Sequence, residues 1–128
     1  GVTAIIPWRE HQFLAGTKLH GILHMTTDGN IMQRSRHDRS DPSSLVNDRI
    51  RCMLRDRAGN LWVGTAEGLG VDAPGVWRST AIPLVAEGGT GDLVFHRLQQ
   101  DDDGTIRIAT SAGFFLVQSR TLAGRRGR

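Results

Sequence analysis

The side chains able to do chemistry fall into a few small groups. His20 and His24 stand four residues apart. On a helix that spacing puts two imidazoles on one face and suits a metal ion. Asp101-Asp102-Asp103-Gly104 has the opening of a calcium loop. Cys52 is the one cysteine. Basic charge comes almost wholly from arginine, since Lys18 is the only lysine among 16 basic residues. Arg49, Arg51, Arg55 and Arg57 lie close together, and Arg125, Arg126 and Arg128 form a tail. A polar set, Lys18, His20, Asn47, Asp48 and Glu67, is spread over short polar stretches. What each group can do depends on the element that carries it.

Those elements are short strands. Residues 49–56 and 60–65 are apolar runs rich in β-formers, split by Asp56-Arg57-Ala58-Gly59-Asn60. Asp and Asn suit a turn, and Gly59 supplies a positive φ without steric cost. Glu67-Gly68 is the next break, residues 68–72 form a third strand, and Ala73-Pro74-Gly75 precedes a fourth at 76–82. An antiparallel meander is the expected result.

The pattern recurs. Gly16-Thr17, Gly64-Thr65 and Ala109-Thr110 align, as do Gly21-Ile22, Gly68-Leu69 and Gly113-Phe114. Asp101 and Gly104 match Asp56 and Gly59. Val2 and Ile5, Ile50 and Met53, and Phe95 and Leu98 fill the same two apolar slots before the turn. The threonines are 48 and then 45 residues apart. Units of about 40–50 residues with several strands each read as propeller blades. The fold class is therefore all-β, about three four-stranded antiparallel blades of an incomplete β-propeller. Blade one spans 1–36, with strands 2–6, 12–16, 21–26 and 31–34, and its hairpin is Thr27-Asp28-Gly29-Asn30. A crossing covers 37–48, blade two 49–82, and a flexible crossing 83–92. Blade three, 93–119, has strands 93–99, 105–110 and 113–118 and lacks an outer one; 120–128 is the basic tail.

Placed on these elements, most of the chemistry recedes. His20 and His24 fall on a turn and a strand, where four-residue spacing does not bring them together. Asp101 and Gly104 are turn residues, and the downstream Glu of an EF-hand loop is missing. Cys52, in an inner strand, is expected to be a half-buried filler. Thirteen acids are interleaved with the bases, and no basic stripe with stacking aromatics stands out, so nucleic acid is not an expected partner. No metal or cofactor is expected. No apolar run approaches a membrane span, so a membrane enters only through a transmembrane segment outside this sequence. The start lacks the pattern of a signal peptide.

The segment SSLVNDRIRCMLRDRAGNLWVGTAEGLGV resembles the two-component regulator propeller repeat. Leu45, Asn47 or Asp48, Ile50, Met53, Asp56, Gly59, Leu61, Trp62, Val63, Gly64, Thr65, Gly68 and Leu69 take that repeat's places. Blade one departs with Trp8 for the Asp, Leu14 for the Trp and no turn glycine; blade three has Arg107 for the Trp and Ala109 for the Gly. The resemblance implies a periplasmic sensor propeller of bacterial histidine or hybrid kinases and related signalling proteins, several of which sense carbohydrates. It implies structural roles for Asp56, Gly59, Trp62, Gly64, Thr65 and Gly68, with Trp62 packing between blades. It implies a non-catalytic input module whose partners are other blades, in the same chain or in a homo-oligomer, and a small-molecule or carbohydrate ligand. Three blades cannot close a ring, so the end blades should expose apolar faces. Ligands of propellers commonly use the face carrying the loops between second and third strands, so Lys18, His20, Asn47, Asp48 and Glu67 are the expected contacts. An interaction scaffold and part of a propeller enzyme such as a lyase are the alternatives.

Overall fold

A computed structural model describes residues 1–73, 78–84 and 93–118. Its described elements are all strands. β1 (Val2–Pro7), β2 (Gln12–Thr17), β3 (Ile22–Thr26) and β4 (Ile31–Ser35) form the first sheet in sequence order. β5 (Ile50–Arg55), β6 (Leu61–Thr65), β7 (Gly68–Asp72) and β8 (Ser79–Ile82) form the second. β9 (Phe95–Gln100), β10 (Thr105–Thr110) and β11 (Gly113–Gln118) form the third. Every pairing is antiparallel. The sheets touch chiefly through β1, β5 and β9, so they fan outward from those strands as blades do from an axis. The turn at 74–77, the crossing at 85–92 and the tail from 119 onward lie outside the described residues.

The second and third blades close their first hairpins with the same backbone bonds. Asp56 N donates to Asn60 O at 2.9 Å and Gly59 N to Asp56 O at 3.0 Å. Asp101 N donates to Thr105 O and Gly104 N to Asp101 O at 2.8 and 3.0 Å. The first blade keeps the first of these bonds, Trp8 N to Gln12 O at 3.1 Å, and shifts the second by one residue, Gln12 N to Arg9 O at 2.9 Å. His11, at φ 59, supplies the left-handed residue that Gly59 and Gly104 supply at φ 89 and 92. This cost to a non-glycine residue is what the missing glycine leaves behind.

Two apolar clusters fill the seams. Between the first and second sheets Leu14, Ile22, Ile50, Met53, Leu61 and Val63 pack together. Between the second and third, Trp62 and Cys52 meet Phe95, Leu98, Ile106 and Ile108. Glycine sets the closeness of each seam. A Cβ on Gly16 would lie 2.5 Å from Ile50 Cγ2, and one on Gly64 would lie 2.8 Å from Phe95 Cβ. The outward faces of the end sheets are left open, as an unclosed propeller requires: Ile5 is 63% and Phe114 69% exposed.

Strand limits differ slightly from the sequence reading. The third blade's inner strand runs from Phe95 to Gln100 and not from residue 93 to 99. Val94 is instead paired with the β10–β11 turn: its N donates to Ser111 Oγ and its O accepts from Ser111 N, both at 3.0 Å. Cys52 is buried rather than half-buried, because the neighbouring blade covers it.

Candidate functional site

One end of the fan carries the β1–β2, β5–β6 and β9–β10 turns. The opposite end carries the turns after β2, β6 and β10, and the crossing that leads into β5. The expected contacts gather at this loop end. There the repeat threonine closes each turn. Thr17, Thr65 and Thr110 donate their hydroxyls to the carbonyls of Gly21, Gly68 and Gly113 at 2.8, 2.7 and 2.7 Å. Each also accepts a backbone N–H, from His20, Glu67 and Ala112 respectively. These buried hydroxyls are fully employed. Their role is to hold the loop tips, not to meet a ligand.

The five polar candidates divide into two kinds. Lys18, His20 and Glu67 have exposed side chains at the turn tips. Asn47 and Asp48 hold the crossing in shape. Asn47 Oδ1 accepts from Arg49 N at 2.8 Å. Asp48 Oδ1 accepts from His37 N at 2.6 Å, Oδ2 faces Arg36 at 3.6 Å, and its carbonyl accepts from Gly21 N at 2.9 Å. The Asp48 carboxylate is thus already engaged within its own loop, and sequence pattern alone gave no sign of it.

The remaining reactive groups are held by structure. His24 meets Gln12 Oε1 through Nε2 at 2.8 Å and sits edge-on to Trp8. Partial burial, and then the nearby Arg9 charge, lower its pKa. The Cys52 thiol is pushed up to about 11 by burial, against a smaller opposing effect of the Gly64 backbone. A thiol so protonated at neutral pH is a poor nucleophile. Asp101 accepts from Arg107 at 3.0 Å, and Asp103 Oδ1 accepts from Thr105 N at 3.0 Å, so the aspartate run works as a turn. Among the described residues no three His, Cys, Asp or Glu side chains come together as a metal-binding group. Concavities do occur at the turn end. A shallow groove of about 700 Å³ runs from Leu54 along residues 98–103, and a smaller one lies between Glu10–Gln12 and Thr26–Asp28.

Comparison with known proteins bears on this arrangement. Residues 44–67 match the sequence model described as "Two component regulator propeller". The matched residues span the end of the crossing, β5 and β6. No curated protein matches the chain. Among solved structures, the extracellular domain of the hybrid two-component system BT4673 from B. thetaiotaomicron superposes at a TM-score of 0.75 with 19% identity. That of BT3049 from the same organism gives 0.71 at 21% identity. The chain is covered to 96% and 91%, but it spans only 17% and 14% of those domains. PorZ, a surface component of the type-IX secretion system of Porphyromonas gingivalis, gives 0.64 at 14% identity, with 96% of this chain and 19% of PorZ covered. At such identities the likeness speaks for the fold. The described fold is that of part of a β-propeller, with the outer faces of its end sheets open. Among the described residues no helix is long and apolar enough to cross a membrane.

Proposed function

We propose that this chain is a non-catalytic, ligand-sensing segment of the propeller of a bacterial two-component signalling protein, facing the periplasm or the cell exterior. The observation that carries the reading is the regulator-propeller repeat at residues 44–67, set in a fold shared with extracellular domains of hybrid two-component systems. Residues 1–36, 49–82 and 93–119 are its blades, and its immediate partners are adjoining blades. The ligand is a small molecule or carbohydrate taken at the loop end. Lys18, His20 and Glu67 make the contacts there, while Asn47 and Asp48 fix the crossing beside them. Any output reaction belongs to other parts of the signalling protein. The closed state of Cys52 and the ion-paired Asp101 support that division of labour.

Calorimetric titration of the chain with a panel of neutral and acidic oligosaccharides tests the reading. At least one should bind saturably and lose affinity with Lys18→Ala or His20→Ala. Turnover of any of them would overturn it in favour of an enzyme.

A further inference from the structure

Each sheet's innermost strand carries a bulge at the same slot. The β1 register skips one residue between Val2 and Ala4, and the β5 register skips one between Ile50 and Cys52. In β9 the skip lies between Phe95 and Arg97, opposite Ala109 and Thr110. The residues skipped are Thr3, Arg51 and His96. A bulge frees a residue from its ladder and re-aims its side chain, and bulges cluster where that serves a site. All three residues are exposed.

Their placement puts them at the same level on adjoining inner strands. Each follows directly on the residue paired with a loop-closing threonine (Val2 with Thr17, Ile50 with Thr65, Phe95 with Thr110), so all three stand at the loop end. β1, β5 and β9 are also the strands through which the sheets adjoin, so the three line the inside of the arc in succession. The hydroxyl of Thr3 crosses the seam to Ile50 O at 2.7 Å. The side chains of Arg51 and His96 have no hydrogen bond or ion pair among the described residues.

The slot is constant in backbone and varied in side chain. The loop-closing slot repeats its residue type in Thr17, Thr65 and Thr110. The bulge slot repeats its geometry but holds Thr, Arg and His, as expected where the backbone builds a platform and the side chains set what is recognised. The surroundings are basic. Arg49, Lys18 and His20 are exposed at the same end. Of the described acids there, Asp48 meets Arg36 and His37, Asp38 and Asp41 accept from Ser40 and Ser43 within the crossing, and Glu67 is exposed at its turn tip.

We infer that Arg51 and His96 form an oxyanion-binding site on the inner wall of the propeller at its loop end, and that the sensed ligand is an acidic saccharide. This deepens the sensor reading and rests on it. A guanidinium fork pairs with a carboxylate or sulfate through two parallel hydrogen bonds. An imidazole adds a further donor, and Thr3 marks the wall on the first blade's side.

Calorimetric titration at physiological ionic strength tests the site, with trigalacturonate and a sulfated galactose trisaccharide set beside neutral galactotriose. At least one acidic probe should bind about tenfold or more tightly than the neutral one. Arg51→Ala and His96→Ala should each remove about tenfold of that affinity, the effect of losing a charged hydrogen bond. Arg34→Ala, on the outermost strand, should leave it unchanged, and circular dichroism should show each variant folded. Equal losses from Arg34→Ala and Arg51→Ala would mean diffuse attraction to a basic surface and would overturn the site. So would failure of both acidic probes to bind. Tight binding of neutral galactotriose, indifferent to Arg51, would also overturn the site but would leave the sensor reading standing.

Discussion

The second and third blades build one clamp from different chemistry. In the second, Trp62 donates its indole N–H to Asp56 Oδ2 at 2.8 Å, and Asn60 N and Nδ2 donate to the same carboxylate. Trp62 is 0% exposed and Asp56 5%. In the third, Asp101 holds the place of Asp56 and Arg107 that of Trp62, and they meet at 3.0 Å as a half-exposed ion pair. Arg97 replaces Cys52 and Ala109 replaces Gly64 on that same face. The turn and the strand pairing survive all of these exchanges. These two blades keep a hydrogen bond from turn to strand while changing its chemistry, whereas the first blade, with Trp8 and Leu14 at those places, forms its four strands without that pair. The indole, the thiol and the glycine serve the next blade, which presses Phe95 and Leu98 against them. The third blade's open face is not a copy of the seam behind it. A neighbour there would meet two arginines and a methyl where the second blade offers an indole, a thiol and a gap.

Substitution can break this comparison, and the tryptophan gives the largest effect. Trp62→Ala should cost about 3–5 kcal/mol, since it empties a buried seam and removes one donor from a buried carboxylate. Arg107→Ala, at the matched position, should cost at most about 1 kcal/mol, as exposed ion pairs do. Urea midpoints of the two variants measure the difference. Equal losses would mean that the third blade depends on its clamp as heavily as the second. The glycine slot comes next. In Gly64→Ala the new Cβ would lie 2.7 Å from Cys52 Sγ and 2.8 Å from Phe95 Cβ. Overpacking of that kind should cost about 1–3 kcal/mol. Ala109→Gly should cost about 0.5–1 kcal/mol, through backbone freedom alone. If Gly64→Ala proved as mild as its counterpart, the seam would be looser than these distances say.

Much of this was readable from the sequence, and for a definite reason. Gly59 and Gly104 are required by positive φ, and the threonines by the turns they close, so backbone geometry dictates residue type and the repeat becomes visible. Where another residue can meet the same demand, the sequence is silent. His11 takes the left-handed place in the first turn, and nothing in its type announces this. The bulges left a signal that is easily overlooked. Ile50 and Met53 pack on the same side yet lie three apart, where a regular strand would place them two or four apart. Val2 with Ile5 and Phe95 with Leu98 repeat that spacing, so the apolar slots themselves mark Thr3, Arg51 and His96. The loop candidates were legible in position only. Asn47 and Asp48 turned inward to their own crossing, because an Asx side chain bonds most readily to backbone a residue or two away or to a loop folded against it.

The smallest expected effect separates the blades by pH. The second blade buries a further acid, Asp72, which accepts a hydrogen bond from the Ser79 hydroxyl; the register of the third blade puts Val117 in that place. Burial raises the Asp72 pKa, against a smaller lowering by Ser79. A carboxyl whose pKa is higher folded than unfolded contributes stability that is complete below the unfolded value. That contribution fades as pH rises through the folded one. Asp72→Asn keeps an acceptor for Ser79 and removes the charge. The variant should match the parent at pH values below the ordinary carboxylate range and gain on it above the raised pKa. Urea midpoints of the two proteins at several pH values would show the divergence. Parallel curves would mean that Asp72 ionises as freely in the folded blade as in the unfolded chain, and that the second blade tolerates buried charge as readily as the third tolerates its exposed ion pair.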